Sequence, residues 1–381
     1  MQQSLRARIL TVLGTRSEAI KLAPVAQELR RRRAIESWLV STGQQREPLN
    51  EALSVFDAKV DVELEVGASD PTPEAVTCST LQRMRSLLRE LRPDWLVVQG
   101  DSSTAFASAL AAFYEKVAVA HVDAGLRSHK SYVPFPEAEN RGLIDQLSEL
   151  LFAPTTHARE LLLGAGFKPE TVFETGNTAV DALLTTREYL RRSPLKLPEI
   201  EPEVLRGRRL ILVTAHRSEG FEDSIVTICR ALIRIARQVP DVLIVFPVQL
   251  NRKVELAVRD LLTQHDRIVL TQPLPYLEFT SLMDRAHLVL TDSRGIQEET
   301  ATFGKPLLVM RDMTERPEGV AAGVARLVGT SEQRIFDETM LLLHDASAYE
   351  SMTRGVNPYG DGTAARRIVD IIEASPRFAM Q

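Results

Sequence analysis

The stretch HVDAGLRSHKSYVPFPEAENR, residues 121–141, puts His121, Asp123, Arg127, Glu137 and Arg141 within one short span. Asp101 follows a second apolar run, LVVQG, and Asp123 follows VAVAHV; Glu137 opens a helix predicted after Pro134 and Pro136. Three carboxyls brought to one pocket suit proton abstraction and delivery. One group takes a proton from one face while another supplies one on the opposite face, and burial or mutual repulsion sets their pKa values apart. Each acid also has an ordinary alternative, capping a helix or pairing with Arg127 or Arg141.

Groups suited to an anion occur elsewhere in the chain. Gly14, Thr15 and Arg16 follow the first apolar run in LTVLGTRSEAIK, so a tight turn would bring backbone N–H groups and a guanidinium to a strand end. That suits a phosphate, although GTR lacks the GxGxxG spacing and an ordinary turn reads the same way. In SRGIQEE, Ser293 at a helix N-cap, Gly295 in the first turn and free amides are able to hold a pyrophosphate. Glu299, one turn on, is able to accept from ribose hydroxyls; plain capping, with acids favouring the helix dipole, is the alternative. His216 ends the run RLILVTAH beside Arg217, Glu219 and Gly220, where it would donate to a phosphate oxygen or shuttle a proton.

Parallel strands must present these groups. Apolar β-branched runs at ARILTVL (from 7), WLVST (38), DWLVVQ (94), VAVAH (117) and LLFAP (150) alternate with helical patterns at 18–33 and 103–115. This βαβα rhythm predicts a parallel sheet covered on both faces, with active groups at the strands' carboxyl ends. A stretch rich in Pro and charge at 191–209 interrupts it. The rhythm then restarts with RLILVTAH (209), DVLIVFPV (241), RIVLTQ (267), HLVLTDS (287) and KPLLVM (305), and helices are predicted at 221–238, 251–263, 276–285 and 295–303. NPYGDGTAARRIVDIIEA, 357–374, reads as turn residues and then an amphipathic helix able to cross back to the first half. The expected fold is α/β: two Rossmann-like doubly wound domains with an interdomain cleft, of the glycosyltransferase-B-like type. The expected divisions are an N-terminal domain with the acid/base residues (1–176), a nucleotide-binding domain (177–358) and a returning helix (359–381).

Bulk composition agrees with this reading. With 381 residues and 44% hydrophobic content, the chain exceeds what a single core usually supports. A net charge of -5 argues against the broad basic surface of a nucleic-acid binder. Cys78 and Cys229 are the only cysteines and lie far apart, so neither a disulfide framework nor a thiolate metal site is indicated, as in a reducing cytoplasm. No run approaches the roughly 18 apolar residues of a membrane span, so no membrane association is expected.

The motifs GTRSEAIKLAPV, QGDSSTAFASALAAFY, HVDAGLRS, PFPEAENR, TGNTAVDAL, TAHRSEGF, TDSRGIQEE, GKPLLVMRDMTERPEG and NPYGDG together resemble the non-hydrolysing UDP-N-acetylglucosamine 2-epimerases, from about residue 8 to 372. The resemblance implies interconversion of UDP-N-acetylglucosamine and UDP-N-acetylmannosamine by anti elimination of UDP, through a 2-acetamidoglucal and re-addition. It implies no metal or redox cofactor, a UDP-sugar as the partner molecule, and a cytoplasmic homodimer. By motif position Asp101, Asp123 and Glu137 are the acid/base carboxyls and His216 stabilises the departing diphosphate. Arg16, Ser293 and Gly295 bind phosphates, Glu299 the ribose and Phe279 the uracil; Lys21 and Arg294 belong to the same substrate-binding group.

Several positions depart from the family pattern. Asp123 stands where HVEAGLR has glutamate, and Arg294 where TDSGG has glycine, adding a cation near the phosphates or obstructing the backbone's approach. Ser17 replaces the proline of GTRPE. QQRE at 44–47 stands in place of the family's AQHRE or GQHRE, and Gln249 in PVQLN in place of a histidine; these positions belong to a second, activating nucleotide-sugar site, so that site is expected to be weakened or absent.

Overall fold

The computed structural model describes residues 6–66, 72–127, 135–195, 197, 200, 205–215, 222–248 and 252–379. The chain divides into two compact units, one of Met1–Thr185 with Tyr359–Gln381 and one of Thr186–Pro358. Each is built on its own parallel sheet.

In the first unit the strands are β1 (Ala7–Leu13), β2 (Ile35–Ser41), β3 (Val62–Glu63), β4 (Trp95–Gln99), β5 (Ala118–Val122), β6 (Leu150–Ala153) and β7 (Val172–Glu174). They form a seven-stranded sheet in the order β3-β2-β1-β4-β5-β6-β7, and every pairing is parallel. Every residue of β4 and β5 is buried, as expected when helices cover both faces and side chains of either parity need a dry environment. Strand order reverses direction between β1 and β4. There the loops leaving the carboxyl ends diverge, which is where α/β sheets place ligands. β3 and β7 escape sequence reading because, at two and three residues, neither shows a periodicity.

Helix Arg16–Arg31 starts at a reciprocal cap, with Thr15 and Glu18 each bonding the other's backbone. Helix Ala364–Ala374 returns to this unit. Its first amides, Ala364 and Ala365, donate to Asp181 at 3.2 and 2.9 Å, and Asp370 and Glu373 pair with Arg32 at 2.7 and 2.9 Å. Burial pushes the Asp181 carboxyl up, against those amide bonds.

The second unit has β8 (Arg209–Thr214), β9 (Val242–Pro247), β10 (Ile268–Thr271), β11 (Leu288–Thr291), β12 (Leu307–Val309) and β13 (Ala325–Leu327), in the order β10-β9-β8-β11-β12-β13. Its order reverses between β8 and β11. β13, three residues long, is again a strand that the sequence did not reveal. Helix Glu222–Gln238 buries Ile225, Ile228, Cys229, Leu232 and Ile235 against Ile211, Val213 and Ile244 of the sheet, the three-and-four spacing of one helical face. Cys229 is unpaired and buried, and burial pushes its thiol up to about 12; Cys78 is unpaired and exposed. Among the described residues no helix is long and apolar enough to cross a membrane.

Candidate active site

The first unit's candidate site is built on the ends of β4 and β5. β5 stops at Val122 and the chain turns sharply: Asp123 has φ +62° and Gly125 φ +84°. Aspartate is among the few non-glycine residues that enter this left-handed region readily. Gly125 has no alternative, since a Cβ there would lie 2.4 Å from the Ala158 carbonyl oxygen. The turn delivers the Asp123 carboxyl into a buried position, 2% exposed. Oδ2 accepts from Lys21 Nζ at 2.5 Å and from Gln99 Nε2 at 2.8 Å. Oδ1 is buried with no hydrogen-bond partner among the described residues. Lys21, expected with the substrate, thus holds an acid in place.

Helix Glu137–Leu147 carries Glu137, Arg141 and Asp145 at i, i+4 and i+8, a single stripe. Arg141 joins the other two acids: Nη2 pairs with Asp101 Oδ2, and Nη1 donates to the Asp123 carbonyl at 3.1 Å. Asn140 Nδ2 donates to the Asp101 carbonyl at 3.1 Å. Glu137 Oε2 is buried with no partner among the described residues. Asp145 lies against His121 and Arg127. Burial alone would raise its carboxyl, but the hydrogen bond and charge of His121, with the charge of Arg127, hold it below the usual carboxylate range. Arg127 therefore pairs with Asp145 rather than with the three acids singled out from the sequence. Asp145 and Gln99 were missed there, although the eight-residue spacing from Glu137 was a readable signal.

The turn after β1 differs from its sequence reading. The Gly14 and Thr15 amides donate to Glu18 Oε2 at 2.6 and 2.8 Å, and the Arg16 amide donates to Gln45 Oε1 at 3.1 Å. These amides are already occupied, so any anion here meets the Arg16 side chain instead. Gly14 is required by a close neighbour, since a Cβ would lie 2.4 Å from Thr104 Oγ1. Burial pushes the Glu18 carboxyl up, opposed by bonds from Ser102, Gly14 and Thr15 and assisted by the charge of Asp101.

In the second unit, Ser293 stands at the N-cap of helix Arg294–Thr300, but its side chain makes no capping bond. The expected cap is therefore absent and the hydroxyl is left for another partner. Gly295 faces Glu299, whose Oε1 would lie 3.5 Å from an added Cβ, with Ser293 Oγ at 4.0 Å, so these three residues cluster at one helical turn. Arg294 turns to Glu315, Nε to Oε2 at 3.4 Å. Thr314 donates to Gln297 Oε1, and Arg316 pairs with buried Glu298, both at 2.5 Å. The segment TERPE thus braces this helix. Phe279 lies half-buried on helix Tyr276–Arg285. His216, Arg217, Glu219, Gly220 and Gln249 lie outside the described residues. Among the described residues no group of three or more His, Cys, Asp or Glu side chains is placed to hold a metal ion.

Two Rossmann-like units, each a doubly wound parallel sheet with polar groups at its carboxyl edge, define the glycosyltransferase-B-like class of α/β protein. A sequence model of the family described as UDP-N-acetylglucosamine 2-epimerase matches residues 27–373. The chain belongs to that family. It is 42% identical over 370 residues to the UDP-N-acetylglucosamine 2-epimerase of Salmonella typhimurium, covering 96% of this chain and 98% of that one. The Bacillus subtilis protein of the same name is 41% identical over 365 residues, covering 96% and 94%. The crystal structure of the Neisseria meningitidis UDP-GlcNAc 2-epimerase bound to UDP-GlcNAc is similar with a TM-score of 0.88 and 39% identity, covering 97% of this chain and 100% of that one.

Proposed function

We propose that this protein interconverts UDP-N-acetylglucosamine and UDP-N-acetylmannosamine by elimination and re-addition. A carboxylate takes the proton from sugar carbon 2 and that electron pair forms the C1=C2 bond. The C1–O bond breaks and UDP leaves with its pair. Protonation of the 2-acetamidoglucal on the opposite face, with return of UDP to carbon 1, gives the epimer. The observation that carries this reading is the grouping of Asp101, Asp123 and Glu137: Arg141 joins the first two and shares a helix with the third. The buried oxygens without hydrogen-bond partners among the described residues, Asp123 Oδ1 and Glu137 Oε2, are the atoms assigned to proton transfer.

Arg16, Ser293, Gly295 and His216 are assigned to the diphosphate, where cations and donors stabilise charge that grows as UDP departs. Glu299 takes the ribose and Phe279 the uracil; Arg294, drawn to Glu315, flanks the phosphates. The protein acts in the cytoplasm as a homodimer and supplies surface polysaccharide synthesis. Phe113 and Tyr114, 57% and 65% exposed, offer the first unit an apolar face for a second copy. With QQRE at 44–47 and Gln249 in place of the activating-site pattern, rate depends hyperbolically on substrate, and a sigmoidal curve abolished by changing Gln44 or Gln249 would refute this.

Incubation with UDP-N-acetylglucosamine in D2O, followed by NMR, tests the reading: the manno product and deuterium at carbon 2 are expected, and absence of both sinks it. Asp123, one methylene shorter than the family's glutamate, favours a second reading in which a related UDP-2-acetamido sugar is the substrate. That reading predicts faster exchange with such a sugar than with UDP-N-acetylglucosamine.

A further inference from the structure

Behind the three acids runs a buried chain of charge to which the proposed reaction assigns no task. His121, in β5, is fully buried. Its Nε2 lies 2.8 Å from the Gly100 carbonyl oxygen and its Nδ1 2.7 Å from Asp145 Oδ1. The other oxygen of Asp145 lies 2.6 Å from Arg127 Nη2. A carbonyl oxygen only accepts, so Nε2 carries a proton. Asp145 is held ionised by its two partners, so Nδ1, facing a carboxylate, donates as well. His121 and Arg127 thus enclose one carboxylate.

Stability alone does not call for such a chain, because well-packed apolar side chains replace buried ion pairs at little cost and often with gain. Its connections are more informative. Gly100, with φ +76°, immediately precedes Asp101; Asp123 follows His121 by two residues; Asp145 lies two turns beyond Glu137 on one helix, with Arg141 between them. We propose that His121 is a positioning residue for the epimerisation, an imidazolium that ties the turn carrying Asp101, the strand end carrying Asp123 and the helix carrying Glu137 into one frame. The inference rests on the functional reading above. His121 touches no substrate: it sets the direction of the acids, and a displacement of about 1 Å at a reacting group costs on the order of a hundredfold in rate. Beyond Asp145 and Arg127, the charged groups bordering this frame are Lys21, Asp101, Asp123, Glu137 and Arg141.

The test compares wild type with Asp145→Asn, His121→Gln and His121→Leu. Imidazole 15N NMR, with His121 assigned by difference among the seven histidines, is expected to show both ring nitrogens protonated in wild type and one in Asp145→Asn. Asp145→Asn and His121→Leu are expected to lower kcat and carbon-2 deuterium uptake by about a hundredfold, with KM for UDP-N-acetylglucosamine within about twofold. His121→Gln, whose amide N–H still reaches the Gly100 carbonyl, is expected to recover about a tenth of wild-type kcat at a similar folded fraction by circular dichroism. A neutral ring in wild type, unchanged kcat in the variants, or losses matched entirely by unfolding would overturn the inference. If wild type itself incorporates no deuterium, the functional reading fails; if wild type turns over and the variants match it, only the role of His121 fails.

Discussion

Lys21 Nζ lies 2.5 Å from Asp123 Oδ2, so a cation on the first helix fixes one oxygen of an acid in the turn just past the fifth strand. The two side chains are only 13% and 2% exposed, and in such a setting an unpaired carboxylate is costly. The pair makes the short Asp123 side chain a rigid one, directed by the first helix.

Lys21→Met should therefore lower unfolding free energy by about 3 kcal/mol, read from urea denaturation, because it leaves a buried carboxylate without its cation. Asp123→Asn should keep the fold and lower kcat by at least about a hundredfold. Asp123→Glu restores the family's residue at φ +62°. It should cost about 1 kcal/mol of stability, since glutamate enters that region less readily, while kcat does not fall below wild type. A large kcat loss in Asp123→Glu would show that this site is tuned to the shorter acid.

Gly125→Ala should be among the most damaging single-methyl changes. It combines a left-handed backbone with a Cβ 2.4 Å from the Ala158 carbonyl, which belongs to a helix and cannot yield cheaply. A loss of about 3 kcal/mol is expected, with reduced kcat because Asp123 stands two residues away. Gly142→Ala, in the helix of Glu137 with nothing within 4 Å of the added methyl, should instead stabilise by up to about 1 kcal/mol. Melting curves of the two variants check the contrast.

Glu18 predicts a pH effect. Its carboxyl is raised above the usual 4.5 by burial, so between 4.5 and its folded value the native state holds more protons than the unfolded state. Stability contributed by this group is full below 4.5 and is lost as pH rises toward that folded value. Glu18→Gln, able to accept from the Gly14 and Thr15 amides, should flatten this slope. The difference in melting temperature between variant and wild type should grow in the variant's favour as pH rises from about 4.5; a constant difference would refute it.

The two arginines beside helix Arg294–Thr300 should behave differently. Arg294, 41% exposed and 3.4 Å from Glu315, should tolerate Arg294→Gly with a stability change within about 0.5 kcal/mol and a changed KM for the UDP-sugar. Arg316 is 11% exposed and pairs with Glu298 at 3%, so Arg316→Leu should cost about 3 kcal/mol. Equal losses for the two would argue against burial as the deciding factor.

Much of the architecture was legible without coordinates, because strand runs and amphipathic helices are written in local apolar spacing. The acids Asp101, Asp123 and Glu137 could be named because each follows such a run or opens such a helix. β3, β7 and β13 were hidden, since two or three residues carry no period, whereas β12, equally short, was visible because it lies in the longer apolar run KPLLVM. What Gly14 and Thr15 bond to depended on Glu18 folding back beneath Ser102, a neighbour contributed by another strand. Asp145 looked like any helix acid until β5 brought His121 against it, and Lys21 looked like a ligand cation until Asp123 arrived from 102 residues away. Residue types and their spacing determined which groups are available for chemistry; burial and long-range pairing, which arise only when distant strands meet, decided which of those groups are occupied and which are left to act.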